Sequence, residues 1–335
     1  MMKKNTDIRG LLMRSQKLWI ILAIIIVLTV LQPGVFLTGA NFKSILLSIS
    51  IYGVMVCGTI FTILLGGIDL SVGAVAAASG AVCVKYIVNN GNTGSSALIG
   101  VLLGLGFGIL VGLLHGIIVA RFGVPAFLVT LASQNIVYGI AQLITNNKVI
   151  SIMEPEGFIF LGGGRLLGVP FSIYIMLIAT IISYIILNRT VYGRHIFAVG
   201  GNTQASDLSG IHSNRVKIIA YIASSFTAAL AGIVLASMNR QAIAKAAQGY
   251  ENDVLTAIVL GGVSLMGGEG NIQGAIWGAL LVGIISNALR LMGIPSSYHG
   301  VVKGIVIIAA VALDAYVRYR NSGLKRSRVR SKAVN

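Results

Sequence analysis

The chain has 335 residues, of which 56% are hydrophobic and only 10% charged, against about 25% charged in ordinary soluble domains. That deficit excludes a typical soluble enzyme, and repeated apolar spans leave no room for a separate soluble domain. The formal charge of +16 does not signal a nucleic-acid binder, because the basic residues are stacked beside apolar runs, as in cytoplasmic flanks under the positive-inside bias.

Residues 1–17 carry Lys3, Lys4, Arg9, Arg14 and Lys17 and form a basic cytoplasmic N-terminus. The apolar run LWIILAIIIVLTVL that follows has no small-residue cleavage site soon after it, so it reads as an uncleaved anchor. Spans long enough to cross a bilayer, about 20 residues each, fall near 18–36, 44–65, 73–89, 97–119, 126–145, 169–187, 217–238, 251–266, 271–291 and 300–318. The eighth is short and ends in glycine, which marks a broken or re-entrant helix. The chain therefore divides into the basic N-terminus, a transmembrane domain over 18–318, and a basic tail over 319–335. An even count of spans places both termini in the cytoplasm. Hydrophilic outer loops are expected at 89–96 and 146–168, and the longest inner loop at 188–217.

That inner loop is far longer than the few residues that join antiparallel spans. Within it, Thr203 to Leu208 is bounded by glycine on both sides, and Asn202 or Thr203 is placed to cap about two helical turns at the membrane surface. The excess length reads either as a docking element for a cytoplasmic partner or as an ordered, idle connector.

No catalytic constellation is apparent. His115, His195, His212 and His299 lack metal-ligand spacing, and no phosphate-loop motif occurs, so the chain cannot hydrolyse ATP by that route. Cys57 and Cys83 lie inside apolar runs, which excludes a disulfide framework or a cysteine zinc cluster. GGGRLLG and GGEGNIQG do not sit in βαβ units, so neither a dinucleotide nor any other cofactor is expected. The nine acids are more informative. Asp69, within GGIDLSVG, either braces or lines a pathway or shares with Ser71 the capping of the next helix. Glu251, Asp253 and Glu269 are expected to form an acidic cluster around the eighth span, the first two equally as first-turn acids facing a helix dipole.

Gly100, Gly104, Gly108, Gly112 and Gly116 form one stripe along a helix, with a shorter version at Gly270, Gly274 and Gly278. In lipid this spacing lets helix backbones approach closely. Two echoes link the halves of the chain. Leu65-Gly66-Gly67-Ile68-Asp69-Leu70-Ser71 resembles Leu260-Gly261-Gly262-Val263-Ser264-Leu265, and Phe122-Gly123-Val124-Pro125 resembles Met292-Gly293-Ile294-Pro295. Interrupted segments at corresponding places point to a central pathway, bordered here by Gly66, Gly67, Asp69, Ser71, Gly261, Gly262 and Ser264.

The segments GGIDLSVG, TVYGRHIFAVGGNTQASDLSGI and GYENDVLTAIVLGGVSLMGGEGNIQGA, in this order, resemble the permeases of ribose-, xylose-, arabinose- and galactoside-type ABC importers. The likeness covers about residues 41 to 318. It implies an all-α polytopic type II importer fold with about ten helices, in a bacterial inner membrane. It further implies a second permease subunit, cytoplasmic ATPase subunits, and a periplasmic or lipid-anchored sugar-binding protein. By the same resemblance, Gly200, Gly201, Asn202, Ala205, Ser206, Gly210 and Ile211 match the coupling helix that seats in the ATPase. Permeases for branched-chain amino acids, nucleosides or furanone-like signals are related alternatives. An ion-coupled carrier is a rival from another class, and it would need a relay of acids or histidines where only Asp69 is well placed.

Overall fold

The computed structural model describes residues 32–295 throughout, with scattered positions on either side (26, 29, 30, 298, 300–302, 304, 305, 308 and 312). Apart from these positions and residues 32–36, the expected spans near 18–36 and 300–318 and both basic termini lie outside the described residues.

The described chain is almost entirely helical: α1 (Gly39–Leu64), α2 (Val72–Asn89), α3 (Gly94–Arg121), α4 (Ala126–Thr145), α5 (Glu156–Gly163), α6 (Phe171–Arg189), α7 (Val191–Gly201), α8 (Thr203–Leu208), α9 (Ser213–Asn239), α10 (Tyr250–Leu260) and α11 (Ile272–Leu291). Seven of them, α1, α2, α3, α4, α6, α9 and α11, are long and apolar enough to span a bilayer. The chain is thus an all-α polytopic membrane protein, since in lipid a helix is the one open segment that satisfies its own backbone.

Local chemistry sets the helix starts. Thr38 accepts a hydrogen bond from Asn41 N at the head of α1, and Thr93 and Ser96 form a reciprocal capping box on α3. Pro125 and Pro170 stand at the cap positions of α4 and α6, where a missing N–H costs no intrahelical bond.

Helix α9 is the hub, packed against α1, α2 and α3, while α10 and α11 form a hairpin that leans on α1. The glycine stripe is what makes α3 fit. A Cβ at Gly100 would lie 2.8 Å from Cys83 O, at Gly108 2.8 Å from Ser225 O, and at Gly112 2.8 Å from Ile222 Cα. The five glycines therefore seat α3 on α2 and α9 backbone to backbone. The shorter stripe is only partly helical, because Gly270 precedes the Asn271 cap of α11.

Three expectations about loops change. The loop 146–168 is folded rather than merely hydrophilic: it contains α5, and β1 (Ile150–Ser151) pairs antiparallel with β4 (Gln241–Ala242) beyond α9. The β2–β3 hairpin (Arg165–Leu166, Val169–Pro170) follows α5. The loop 188–217 holds a further helix, α7, whose Ile196 and Val199 are buried. Finally, the eighth span ends early. Helix α10 has 11 residues and stops at Leu260, leaving 261–271 as turn.

Candidate functional site

The two echoing segments are two copies of one backbone device. At the end of α1, Gly66 has φ +75°, its N–H donates to Ile63 O, and Gly67 N donates to Thr62 O. At the end of α10, Gly262 has φ +81°, its N–H donates to Val259 O, and Val263 N donates to Ile258 O. Both are Schellman stops, in which a left-handed residue lets the last carbonyls be satisfied, and glycine takes that conformation without strain. The second echo behaves alike, with Gly123 and Gly293 at φ +65° and +66° after α3 and α11.

The α1 stop touches the turn that follows the α10 stop. Gly268 N donates to Leu64 O at 2.8 Å, so the last carbonyl of α1 is satisfied by the turn that follows α10. Gly200, near the end of α7, fills the remaining space. A Cβ there would strike Leu64 O and lie 2.8 Å from Gly268 N. Two glycine-bearing turns and the glycine-bearing end of α7, from distant parts of the chain, thus meet at their backbones.

Between the α1 stop and α2, Asp69 is buried and fully engaged. Its Oδ1 accepts from Ser71 N at 3.0 Å and Ser71 Oγ at 2.6 Å, and its Oδ2 accepts from Ser224 Oγ at 2.8 Å, on α9. The capping expectation is corrected: Asp69 takes the N–H of Ser71, the residue that precedes α2, and no side chain caps the helix itself. The Ser71 hydroxyl makes no cap hydrogen bond and donates to Asp69 instead. Thr130 of α4, not foreseen from the sequence, staples the same break: it accepts from Leu70 N and reaches Ile68 O, both at 3.1 Å. A threonine in an apolar span carries no signal of this until the break is folded against it.

Ser264 holds the second turn. Its Oγ accepts from Met266 N at 3.1 Å, and its N–H donates to Glu269 O at 2.8 Å. The expected acidic cluster does not form. Glu251 and Asp253 are buried in the first turn of α10, whereas Glu269 is exposed beyond its other end, about 15 Å along by helical rise.

Directly after the Gly200 end of α7, the short helix expected over Thr203–Leu208 is present as α8. Asn202 Oδ1 accepts from Ala205 N at 2.9 Å, and Gly210, at φ +83°, ends it by a third Schellman stop in which Ile211 N donates to Ser206 O. The hydroxyl and N–H of Ser213 hold the Asp207 carboxyl below its ordinary pKa. The residues do not share one face. Ser206 is buried, with its hydroxyl on Asn202 O. Ala205 and Gln204 are exposed, and Leu208, absent from the sequence-derived set, is 92% exposed. Gly200 belongs to the junction below and not to this helix.

A polar cavity between α4 and the segment leading into α10 brings together Gln134, Asn135, Gln142 and Gln248. These amides are also absent from the sequence-derived site, although ASQNIVYGIAQ sets three of them inside an apolar span. Among the described residues no group of three or more His, Cys, Asp or Glu is arranged to hold a metal.

Residues 41–311 match the family described as the permease component of branched-chain amino acid transport systems. The chain is 39% identical over 306 residues to the ribose import permease protein of Escherichia coli K12, covering 90% of this chain and 94% of that protein. It is 37% identical over 292 residues to the ribose import permease protein of Bacillus subtilis, covering 87% and 89%. It is 37% identical over 281 residues to the L-arabinose transport system permease protein of E. coli K12, covering 84% of each. No solved structure matches the chain.

Proposed function

The chain belongs to the family of transport-system permease components, and from that premise we propose that it is the transmembrane permease subunit of an ABC importer for a sugar. The observation that carries the sugar class is the 39% identity to a ribose permease across 90% of this chain. The relative's length is matched almost end to end, so the likeness is not confined to a common helical framework.

Energy for transport comes from separate ATPase subunits. The exposed side of α8, formed by Gln204, Ala205 and Leu208, supports a docking role there, because a wholly exposed leucine on a two-turn helix is a natural anchor for a partner's groove. Both termini are cytoplasmic in this reading, and residues 188–217 form the coupling loop. A second permease subunit completes the pathway, and a periplasmic or lipid-anchored binding protein delivers the sugar. ATP binding and hydrolysis bias the permease between outward- and inward-open states, which requires the ATPase to hold α8 differently in each. The glycine junction supports such coupling mechanically, since α7 joins α8 to the end of α1 and the turn after α10 by a close backbone approach at Gly200.

The test is reconstitution of the permease with its ATPase and binding protein, followed by uptake of labelled D-ribose and L-arabinose. ATP-dependent accumulation of one pentose, lost when any component is omitted, is the expected result. Uptake of leucine and of neither pentose would overturn the sugar assignment.

A further inference from the structure

The segment joining α9 to α10 folds back over α4 and encloses with it a cavity of about 410 Å³, within the range of about 300–1,000 Å³ typical of small-molecule sites. Its upper wall is built of neutral amides, with Gln134, Asn135 and Gln142 from α4 facing Gln248 across the space. Deeper in, Tyr138 and Glu251 are each only 8% exposed. Tyr138 Oη and Glu251 Oε2 have no hydrogen-bond partner of good geometry, although the Gln134 amide in the cavity wall lies close enough to interact with the Glu251 carboxylate. The other carboxylate oxygen, Oε1, is already used, accepting from Gly249 N at 3.2 Å. Gly73, in the first turn of α2, lies against both groups: a Cβ there would lie 3.2 Å from Tyr138 Oη and would collide with Glu251 Oε2.

Buried polar atoms are almost always paired, and two unpaired ones at the end of a polar cavity call for a partner that enters it. The chemistry of that partner follows from the lining. The carboxylate oxygen only accepts, the phenol both donates and accepts, and each amide offers both functions. The complementary molecule presents several groups that donate and accept within a few ångströms, as adjacent hydroxyls do. No aliphatic side chain lines the cavity, so a branched apolar substituent finds no wall to bury against. Lys245 stands exposed at the mouth.

We propose that this cavity is a transit site for a neutral polyhydroxylated solute, in which Tyr138 Oη and Glu251 Oε2 take hydrogen bonds with vicinal hydroxyls while the amides of α4 and Gln248 hold the rest of the ring. The proposal rests on the sugar-importer reading and deepens it, by giving the permease its own recognition of the cargo. Hydrogen bonds of this kind each contribute only about 0.5–1.5 kcal/mol net, so the site is weak, as transit requires.

The experiment uses the complete transporter in proteoliposomes, with D-ribose and L-arabinose as probes and leucine as control. Tyr138→Phe removes only the unpartnered hydroxyl and so leaves packing intact. It should lower pentose uptake by about three- to tenfold, the factor expected for one lost hydrogen bond, with ATPase co-purification at the wild-type level. Glu251→Gln, of equal shape, should lower it similarly. In a Gln142→Cys transporter, where native Cys57 and Cys83 are buried, labelling by a membrane-impermeant maleimide should slow when the pentose is present and stay unchanged with leucine. Wild-type uptake in both variants together with labelling indifferent to either pentose would overturn the transit site and leave the sugar-importer reading standing. Uptake of leucine and no pentose by the wild-type transporter would instead overturn that reading, and the ligand class with it.

Discussion

Replacing Gly200 by alanine would place a methyl group against Leu64 O and 2.8 Å from Gly268 N, in the space where the hydrogen bond between those two groups joins α1 to the turn after α10. Both obstacles are backbone, so neither can swing aside as a flexible side chain would. Forcing the methyl in costs about 1–3 kcal/mol of overpacking. Separating the bonded pair leaves a buried carbonyl unpaired, at about 1–3 kcal/mol more. The expected loss of stability is therefore about 2–6 kcal/mol, read as a lowered unfolding temperature of the purified permease and a fall in uptake. The neighbouring residue supplies the control. A Cβ at Gly201 would meet nothing within 4 Å, so Gly201→Ala should change stability by no more than about 0.5 kcal/mol. Equal melting temperatures for Gly200→Ala and Gly201→Ala would refute the contact between α7 and the two turns.

Asp69→Asn keeps an acceptor for Ser71 N and should fold and transport. Asp69→Leu strands three buried donors, from Ser71 and Ser224, at about 1–3 kcal/mol each, and should lose folded yield on size-exclusion chromatography; equal failure of Asn would mean that charge itself is required. Gly108→Leu should destabilise by wedging α3 from α9, whereas Gly106→Leu on the open side of the same helix should express normally. Leu208→Arg and Ala205→Arg should preserve folded yield and reduce co-purification of the ATPase. Ser206→Arg should instead lower the yield, because that side chain points into its own chain.

The helical framework was legible because long apolar runs bounded by capping residues and glycine leave few alternatives in lipid. The turn chemistry was legible too, and for a specific reason. LGGID and LGGVS each place glycine where a helix must end in a left-handed residue, and both adopt the same stop. Helix α7 was not legible, since VYGRHIFAVGG is short and half-polar. Its order comes from burying Ile196 and Val199 in a core assembled from distant helices, a tertiary effect with no local signature. The α10 boundary was misplaced by several residues for a related reason: apolar residues continue past Leu260, and the chain leaves the helix only because Gly262 turns it.

The site was legible in its charged groups and illegible in its orientation. Asp69 is a carboxylate in an apolar surrounding, and such a group must be bonded or wet, so its importance follows from its type alone. Which partners bond it does not follow, because Ser224 lies 155 positions away. The coupling segment shows the limit from the other side. Six residues make fewer than two turns, too few for a periodicity to say which face is inward. Ala205 and Ser206 therefore looked equivalent in sequence, although one is exposed and the other buried. The amides of α4 illustrate a third case. Gln and Asn cost less to bury than acids, so three of them in one span are compatible with simple helix packing. They become a site only when Gln248 and Glu251, more than a hundred residues further on, are folded across them, and when Tyr138 is left without a partner in the space between.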